Sequence, residues 1–260
     1  YQYWGQPLAS ESDRDAWIAP ALSDAYGAFY LHGTVGVDAF EAHMAALQIH
    51  IESSPGTESS RAHSDTATRP LSLTGSTRYS ALSPDQLADY GSYVLTDMIR
   101  LRIGDEAYFR ALSILSRRIA RETDFTLSTE ALRAAFEASS GADLSDFFDY
   151  WIHGGFIPEL ALTVRRVDGS GLLHGCLSSS VPFGHIEVPI EIWDQDGERI
   201  VAPMIDVIDG QGSFWVPDRA DDVRVEVDPK SLILATQRQV SWVTEQACDF
   251  KDAASSTTEE

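Results

Sequence analysis

The spacing of apolar residues changes part-way along the chain, and that change constrains the fold more than any single motif. Up to about residue 155 the apolar residues recur at helical intervals, whereas from 158 to 235 they recur at every second position. A helix presents one face with a period of 3.6 residues and a strand with a period of 2, so the two stretches build different layers. In the second stretch Ile186, Val188, Ile190 and Ile192 alternate with Glu187, Pro189 and Glu191, and Val223, Val225 and Val227 alternate with Arg224 and Glu226. Asp168-Gly169, Asp196-Gly197 and Asp209-Gly210 supply turn pairs between such runs. Evenly spaced short strands of this kind predict an antiparallel β-sandwich of roughly seven strands. Pro189, which lacks an N–H, suits an edge strand. The expected fold class is therefore α+β as two domains, mostly helical first and a sandwich second.

The helical part divides further. One helix is expected from about Asp15 to His32, with Trp17, Leu22, Tyr26 and Tyr30 on one face, Asp13 or Asp15 as its cap and Pro20 near its first turn. A second is expected from Val37 to about Ile51. Residues 52–84 are rich in Ser, Thr, Gly and Pro and read as a long irregular connection. The helical period then returns, with Val94, Met98 and Leu101 as one stripe and Phe109, Leu112, Leu115 and Ile119 as another. Ser128 is the expected N-cap of a helix that Gly141 stops. A last helix, Leu144 to His153, carries Phe147, Phe148 and Trp151. The expected domains are 1–156 (helical), 157–236 (sandwich) and 237–260, an acidic tail without regular structure.

Composition excludes some roles. The net charge of −21 disfavours phosphate backbones and anionic lipid, so neither nucleic acid nor a membrane surface is expected as partner. No run of apolar residues is long enough to span a bilayer. Cys176 and Cys248 are too few for a metal cluster or a disulfide framework and leave the redox compartment open. A chain that opens at Tyr1, with neither Met nor a signal-type segment, is expected to be part of a longer protein. The seven histidines, at 32, 43, 50, 63, 153, 174 and 185, form no i, i+4 pair around a carboxylate and read as surface or structural residues. Arg117, Arg118, Arg121 and Glu122 read as a solvated helix face, and Trp4, Trp17 and Trp151 as core anchors.

Several segments, in order, nevertheless resemble one family. Tyr1-Gln2-Tyr3-Trp4-Gly5 followed by Asp15-Ala16-Trp17-Ile18 is similar to the stretch after the zinc-binding helix of the gluzincin (membrane alanyl) aminopeptidases, where H-E-x-x-H runs into Q-W/Y-W/F-G. Arg69-Pro70-Leu71-Ser72-Leu73 resembles the family's R-G-P-I-x-L. Tyr90-Gly91-Ser92-Tyr93-Val94-Leu95 and Gly104-Asp105-Glu106-Ala107-Tyr108-Phe109 resemble its K-G-x-x-V-L and G-D-E-x-F helices. Ser140-Gly141-Ala142-Asp143-Leu144 with Phe147-Phe148-Asp149-Tyr150-Trp151 resembles S-G-x-D-L-x-x-F-F-x-x-W, and Gly155-Phe156-Ile157-Pro158 the G-x-P that leads into a sandwich.

The resemblance implies the downstream half of a thermolysin-like catalytic domain plus the following sandwich. In that family two histidines and a glutamate hold zinc, and a tyrosine stabilises the oxyanion. Carried over by position, the second histidine falls at Tyr1, the glutamate at Pro20 and the tyrosine at Ala88, with Tyr90 as its neighbour. Asp24, one turn beyond Pro20, is the candidate substitute ligand. The resemblance thus implies a metallopeptidase-like protein with no intact catalytic or metal residue and no cofactor. Such a protein would bind peptides or a protein partner in a vestigial cleft. The alternatives are an active zinc aminopeptidase of which this is the downstream part, using other ligands, and a structural module.

Overall fold

The computed structural model describes residues 8–52, 84–154, 157–180, 185–219 and 222–244. It divides into two compact units, and its secondary structure is a mixture of helices and sheets, an α+β chain.

The first unit comprises residues up to Pro158 together with Lys230–Thr236. Its helices are α1 (Ile18–Thr34), α2 (Val37–Glu52), α3 (Pro84–Tyr93), α4 (Ile99–Ile103), α5 (Asp105–Arg121), α6 (Thr129–Ser140) and α7 (Ser145–Phe148). A π-helical stretch, Val94–Met98, joins α3 to α4 without a break, and another, Asp149–Gly154, follows α7. Every residue from Gly91 to Ile99 is buried. A helix enclosed on all sides runs through the interior rather than lying on it, and Ser92, Thr96 and Asp97 are enclosed along with its apolar residues. Gly91 permits this depth. A Cβ there would stand 2.9 Å from Trp17 Cε3 and 2.9 Å from Ala21 Cβ, so α3 can approach α1 this closely only without a side chain.

Local chemistry sets several helix ends as expected. Ser128 Oγ accepts from Ala131 N–H, and Gly141 closes α6 with φ 74°. The start of α1 differs. It begins at Ile18 after Trp17, with no side-chain cap. Asp15 serves α6 instead, accepting from Thr129 N–H at 2.7 Å and Thr129 Oγ1–H at 2.9 Å. Thr129 Oγ1 in turn accepts from Trp17 Nε1–H at 3.2 Å. Short strands β1 (Ala9–Ser10) and β2 (Thr126–Leu127) pair in parallel just upstream of these residues.

Two expected stripes are shifted. The buried face of α1 is Ile18, Ala21, Leu22, Ala25 and Ala28, while Tyr30 is 70% exposed. On α5 the buried positions are Tyr108, Ala111, Leu112 and Leu115, while Phe109 is 43% exposed. Phe109 packs edge-on to Phe29 at a centroid distance of 5.1 Å, so its ring is used at the rim of the core. Lys230–Thr236 belongs to this unit although the sequence boundaries placed it among the strands. Ile233, Leu234 and Ala235 are wholly buried, Tyr93 Oη donates to Ser231 O, and Gln48 Nε2 donates to Ala235 O at 3.5 Å. No local pattern announces such a return, because the segment is neither helix nor strand.

The second unit, Glu159–Pro229 with the residues from Gln237 onward, holds two sheets. Its strands are β3 (Glu159–Val167), β4 (Leu172–Ser179), β5 (Ile186–Asp194), β6 (Arg199–Val201), β7 (Met204–Val207), β8 (Gln211–Pro217), β9 (Val223–Val227) and β10 (Gln237–Trp242). One sheet has the order β10-β3-β4-β8. In the other, β5 pairs with β6, β7 and β9. The tight turn at Asp209-Gly210, both at positive φ, joins β7 of one sheet to β8 of the other. The alternation in β5 and β9 buries Ile186, Val188, Ile190, Ile192, Val223, Val225 and Val227.

Two expectations about the strands are corrected. Residues 237–242, assigned to the tail, form β10, which pairs parallel with β3 rather than antiparallel. Pro189 lies on a central strand, not an edge. The β9 ladder starts one residue later, at Ile190 opposite Val227; Pro189 O still accepts from Asp228 N–H at 2.8 Å, and the missing N–H of Pro189 falls at the very end of that ladder, where Asp228 has φ 45°. The tail beyond residue 244 and the connection 53–83 lie outside the described residues.

Candidate functional site

Pro20 is the third residue of α1 and partly buried. The first intrahelical bond is Ala21 N–H to Trp17 O at 3.2 Å, so Pro20 occupies a place where an N–H would have no helical acceptor. The helix therefore accepts proline here without distortion. Chemically the consequence is larger, because no donor atom projects from this position. Tyr1 lies outside the described residues.

One turn on, Asp24 is partly buried. Burial raises its pKa above the ordinary carboxylate value, the charge of Asp89 raises it further, and His43 opposes both. Asp89 itself, on α3, is hydrogen-bonded to His50 Nδ1 of α2. His43 Nε2, also on α2, is enclosed and has no hydrogen-bond partner among the described residues. The structure thus draws Asp24, His43, His50 and Asp89 from three helices toward one another. The sequence treated the two histidines singly, because their relation to the two aspartates arises only when α1, α2 and α3 pack. Their spacing on α2 is the one local signal, since positions seven apart share a helix face.

Ala88 is partly buried on α3, and a methyl group offers no hydrogen bond. Tyr90, its neighbour, does not substitute. It is 2% exposed, and its hydroxyl donates to Trp151 O at 3.0 Å. Burial pushes the phenol pKa well above its ordinary value, with nearby Tyr150 adding to the shift. A neutral, enclosed phenol committed to a backbone carbonyl is a structural group.

Zinc, which the family resemblance implies, requires at least three protein donors in close array. Among the described residues no group of three or more His, Cys, Asp or Glu is placed to hold a metal ion. Asp89 is engaged by His50, and Pro20 contributes nothing, so the described residues do not fit a zinc site. Trp17 and Trp151 are buried core residues, and Trp4 lies outside the described residues. On α5 Arg117, Arg118 and Arg121 are exposed beside Glu122. Arg118 pairs with Glu122 at 3.0 Å and Arg117 Nε donates to Ser113 O at 3.1 Å.

No protein-family model and no curated protein matches the chain. Among solved structures it is similar to aminopeptidase A of Legionella pneumophila in complex with aspartic acid, with a TM-score of 0.67 and 15% identity over 94% of this chain. The chain has the fold of part of that aminopeptidase. It spans 26% of the Legionella protein's length. A second similarity is to an M1 zinc metallopeptidase mutant from Deinococcus radiodurans bound to a Tyr-Ser-Ala substrate. It has 18% identity, covers 60% of this chain and 32% of that one, and has a TM-score of 0.45. The fold assignment rests on the Legionella structure. Among the described residues no helix is long and apolar enough to cross a membrane.

Proposed function

We propose that this chain is the downstream half of an aminopeptidase-like catalytic domain, that it has lost the zinc site and catalysis, and that it binds a peptide or protein partner in the vestigial cleft. In this reading the helical unit is the thermolysin-like subdomain and the two sheets are the β-sandwich that follows it. The fold shared with part of Legionella aminopeptidase A supports the architecture.

The observation that carries the loss of chemistry is Pro20, built into the first turn of α1 where the family places a metal-binding glutamate. A zinc-bound water is the nucleophile of such enzymes because the metal lowers its pKa to about 7. Without the metal the nucleophile is gone. Ala88 in place of the oxyanion tyrosine removes a further factor of about a hundred to a thousand, and Tyr90 is already committed to Trp151 O.

Elemental analysis after dialysis without chelator tests this reading. The expected result is far less than one zinc per chain, with no cleavage of aminoacyl-fluorophore substrates when zinc is added. About one zinc per chain, or turnover that a chelator abolishes, overturns it. That outcome would instead favour an active zinc aminopeptidase of which this chain is the downstream part, with Asp24 as the substitute ligand.

A further inference from the structure

Helix α5 buries Tyr108, Ala111, Leu112 and Leu115. On its exposed side Arg110, Ile114, Arg117, Arg118 and Arg121 follow one another at intervals of four, three, one and three residues. With 3.6 residues per turn these five fall within about 100° of arc, so they form a single stripe about 16 Å long. No Asp or Glu occurs from Ala107 to Arg121, although the chain carries 40 acidic residues against 19 Lys and Arg. Four of those 19 cations thus share one helix face of a protein whose net charge is −21.

The helix itself gains little from them. Arg118 and Arg121 lie in the last turn, where the helix dipole favours cations, but Arg110 and Arg117 lie upstream of it. Arg110 pairs with Glu106 and Arg118 with Glu122, each four residues away along the chain. Among the described residues Arg117 donates only to Ser113, to its carbonyl at 3.1 Å and its hydroxyl at 3.2 Å. The guanidinium of Arg121 has neither an ion pair nor a hydrogen bond among them. Arg117 and Arg121 stand one turn apart, so their charges repel with no carboxylate to offset them. Ile114 adds an apolar surface in the middle of the stripe. It is 44% exposed and, with Arg117, Arg118, Arg121 and Glu122, lines an open hollow of about 300 Å³.

This combination selects a partner. Each guanidinium can take a carboxylate through two parallel N–H donors, and Ile114 offers contact to an aliphatic side chain. A phosphate polymer or an anionic membrane would extend past the stripe and meet the rest of a strongly acidic surface, whereas a helix of similar length ends with the stripe. We propose that the exposed face of α5 docks an acidic amphipathic helix of a partner protein, with carboxylates on Arg117 and Arg121 and an aliphatic side chain on Ile114. The face includes none of Pro20, Asp24 and Ala88, which lie on α1 and α3, so it is separate from the vestigial cleft. At physiological ionic strength the Debye length is about 8 Å. Repulsion from distant carboxylates is then damped, while contacts across the stripe persist.

Fluorescence anisotropy with the full chain at physiological ionic strength tests the docking. The probe is a fluorescein-labelled helical peptide of about 15 residues, built from Glu, Leu and Ala with Glu and Leu on one face. A second peptide carries Gln in place of every Glu. Saturable binding of the Glu peptide is expected, with the Gln peptide about tenfold weaker or more. Arg117→Glu combined with Arg121→Glu should weaken the Glu peptide by about tenfold, Arg117→Gln with Arg121→Gln by less, and Ile114→Ala by about threefold. Glu and Gln match Arg closely in helix propensity and the positions are exposed, so circular dichroism should show the parent's helix content in each variant. Absence of saturable binding, or equal binding of the two peptides, overturns the proposal. So does parent-like affinity in the doubly reversed variant or in Ile114→Ala. Self-association of the parent that the doubly reversed variant abolishes also overturns it, because a second copy of the chain would then cover the face.

Discussion

Asp15 joins two parts of the helical unit that are far apart in sequence, and removing it should cost more than removing any exposed acid. Its carboxylate is 5% exposed. It accepts from Thr129 N–H and Oγ1–H through Oδ1, at 2.7 and 2.9 Å, and from Ser12 Oγ–H through Oδ2 at 2.6 Å. Hydrogen bonds to a charged acceptor contribute about 1.5–3 kcal/mol each, and bonds that share an acceptor do not add fully. Asp15→Ala should therefore destabilise by about 3–5 kcal/mol, a large share of the 5–15 kcal/mol typical of a domain. Burial alone would raise the Asp15 pKa, but the hydrogen bonds from Ser12 and Thr129 together hold it below the ordinary value. Because the folded-state pKa is depressed, this stabilisation is fully present above the unfolded value near pH 4. It is lost as pH falls through the lower folded-state value. Urea unfolding followed by helical circular dichroism, with a double-mutant cycle against Thr129→Ala, measures it. The wild type should lose stability below about pH 4 more steeply than Asp15→Ala, and the cycle should show at least about 1 kcal/mol of coupling. A loss under about 1 kcal/mol, or strict additivity with Thr129→Ala, would refute the assigned role.

Gly91→Ala should destabilise the helical unit by about 1–3 kcal/mol, because the new methyl group meets the Trp17 ring and Ala21 at 2.9 Å; an unchanged denaturation midpoint would show that α1 and α3 are not so closely packed. Asp24→Asn should stabilise the protein at pH 7. Its folded-state pKa is raised, so ionising it in the folded protein opposes folding, and the penalty grows as pH rises from the unfolded value toward the folded one. Urea midpoints of parent and variant at pH 3.5 and pH 7 measure this difference, and an equal gap at both values would count against the burial of Asp24 and its proximity to Asp89.

What the sequence could determine alone was whatever depends on neighbours along the chain. The change of period near residue 158, the alternation in β5 and β9, the Ser128 cap and the Gly141 stop are all local, and each appears where local chemistry puts it. The absence of a donor atom at Pro20 and at Ala88 is likewise a property of the residues themselves. Packing decided the rest. Asp15 has the sequence of a cap for α1 and serves α6, because the two helix starts meet across 114 residues. Pro189 looks like an edge residue and sits on a central strand, because β9 happens to end beside it. Lys230–Thr236 carries no periodic signal, yet it belongs with the helices, burying Ile233, Leu234 and Ala235 and bonding to Tyr93 and Gln48. His43 and His50 read as unremarkable until three helices bring them to Asp24 and Asp89. Residues this distant along the chain leave no mark on one another's local pattern, so their meeting is decided only when the chain closes on itself.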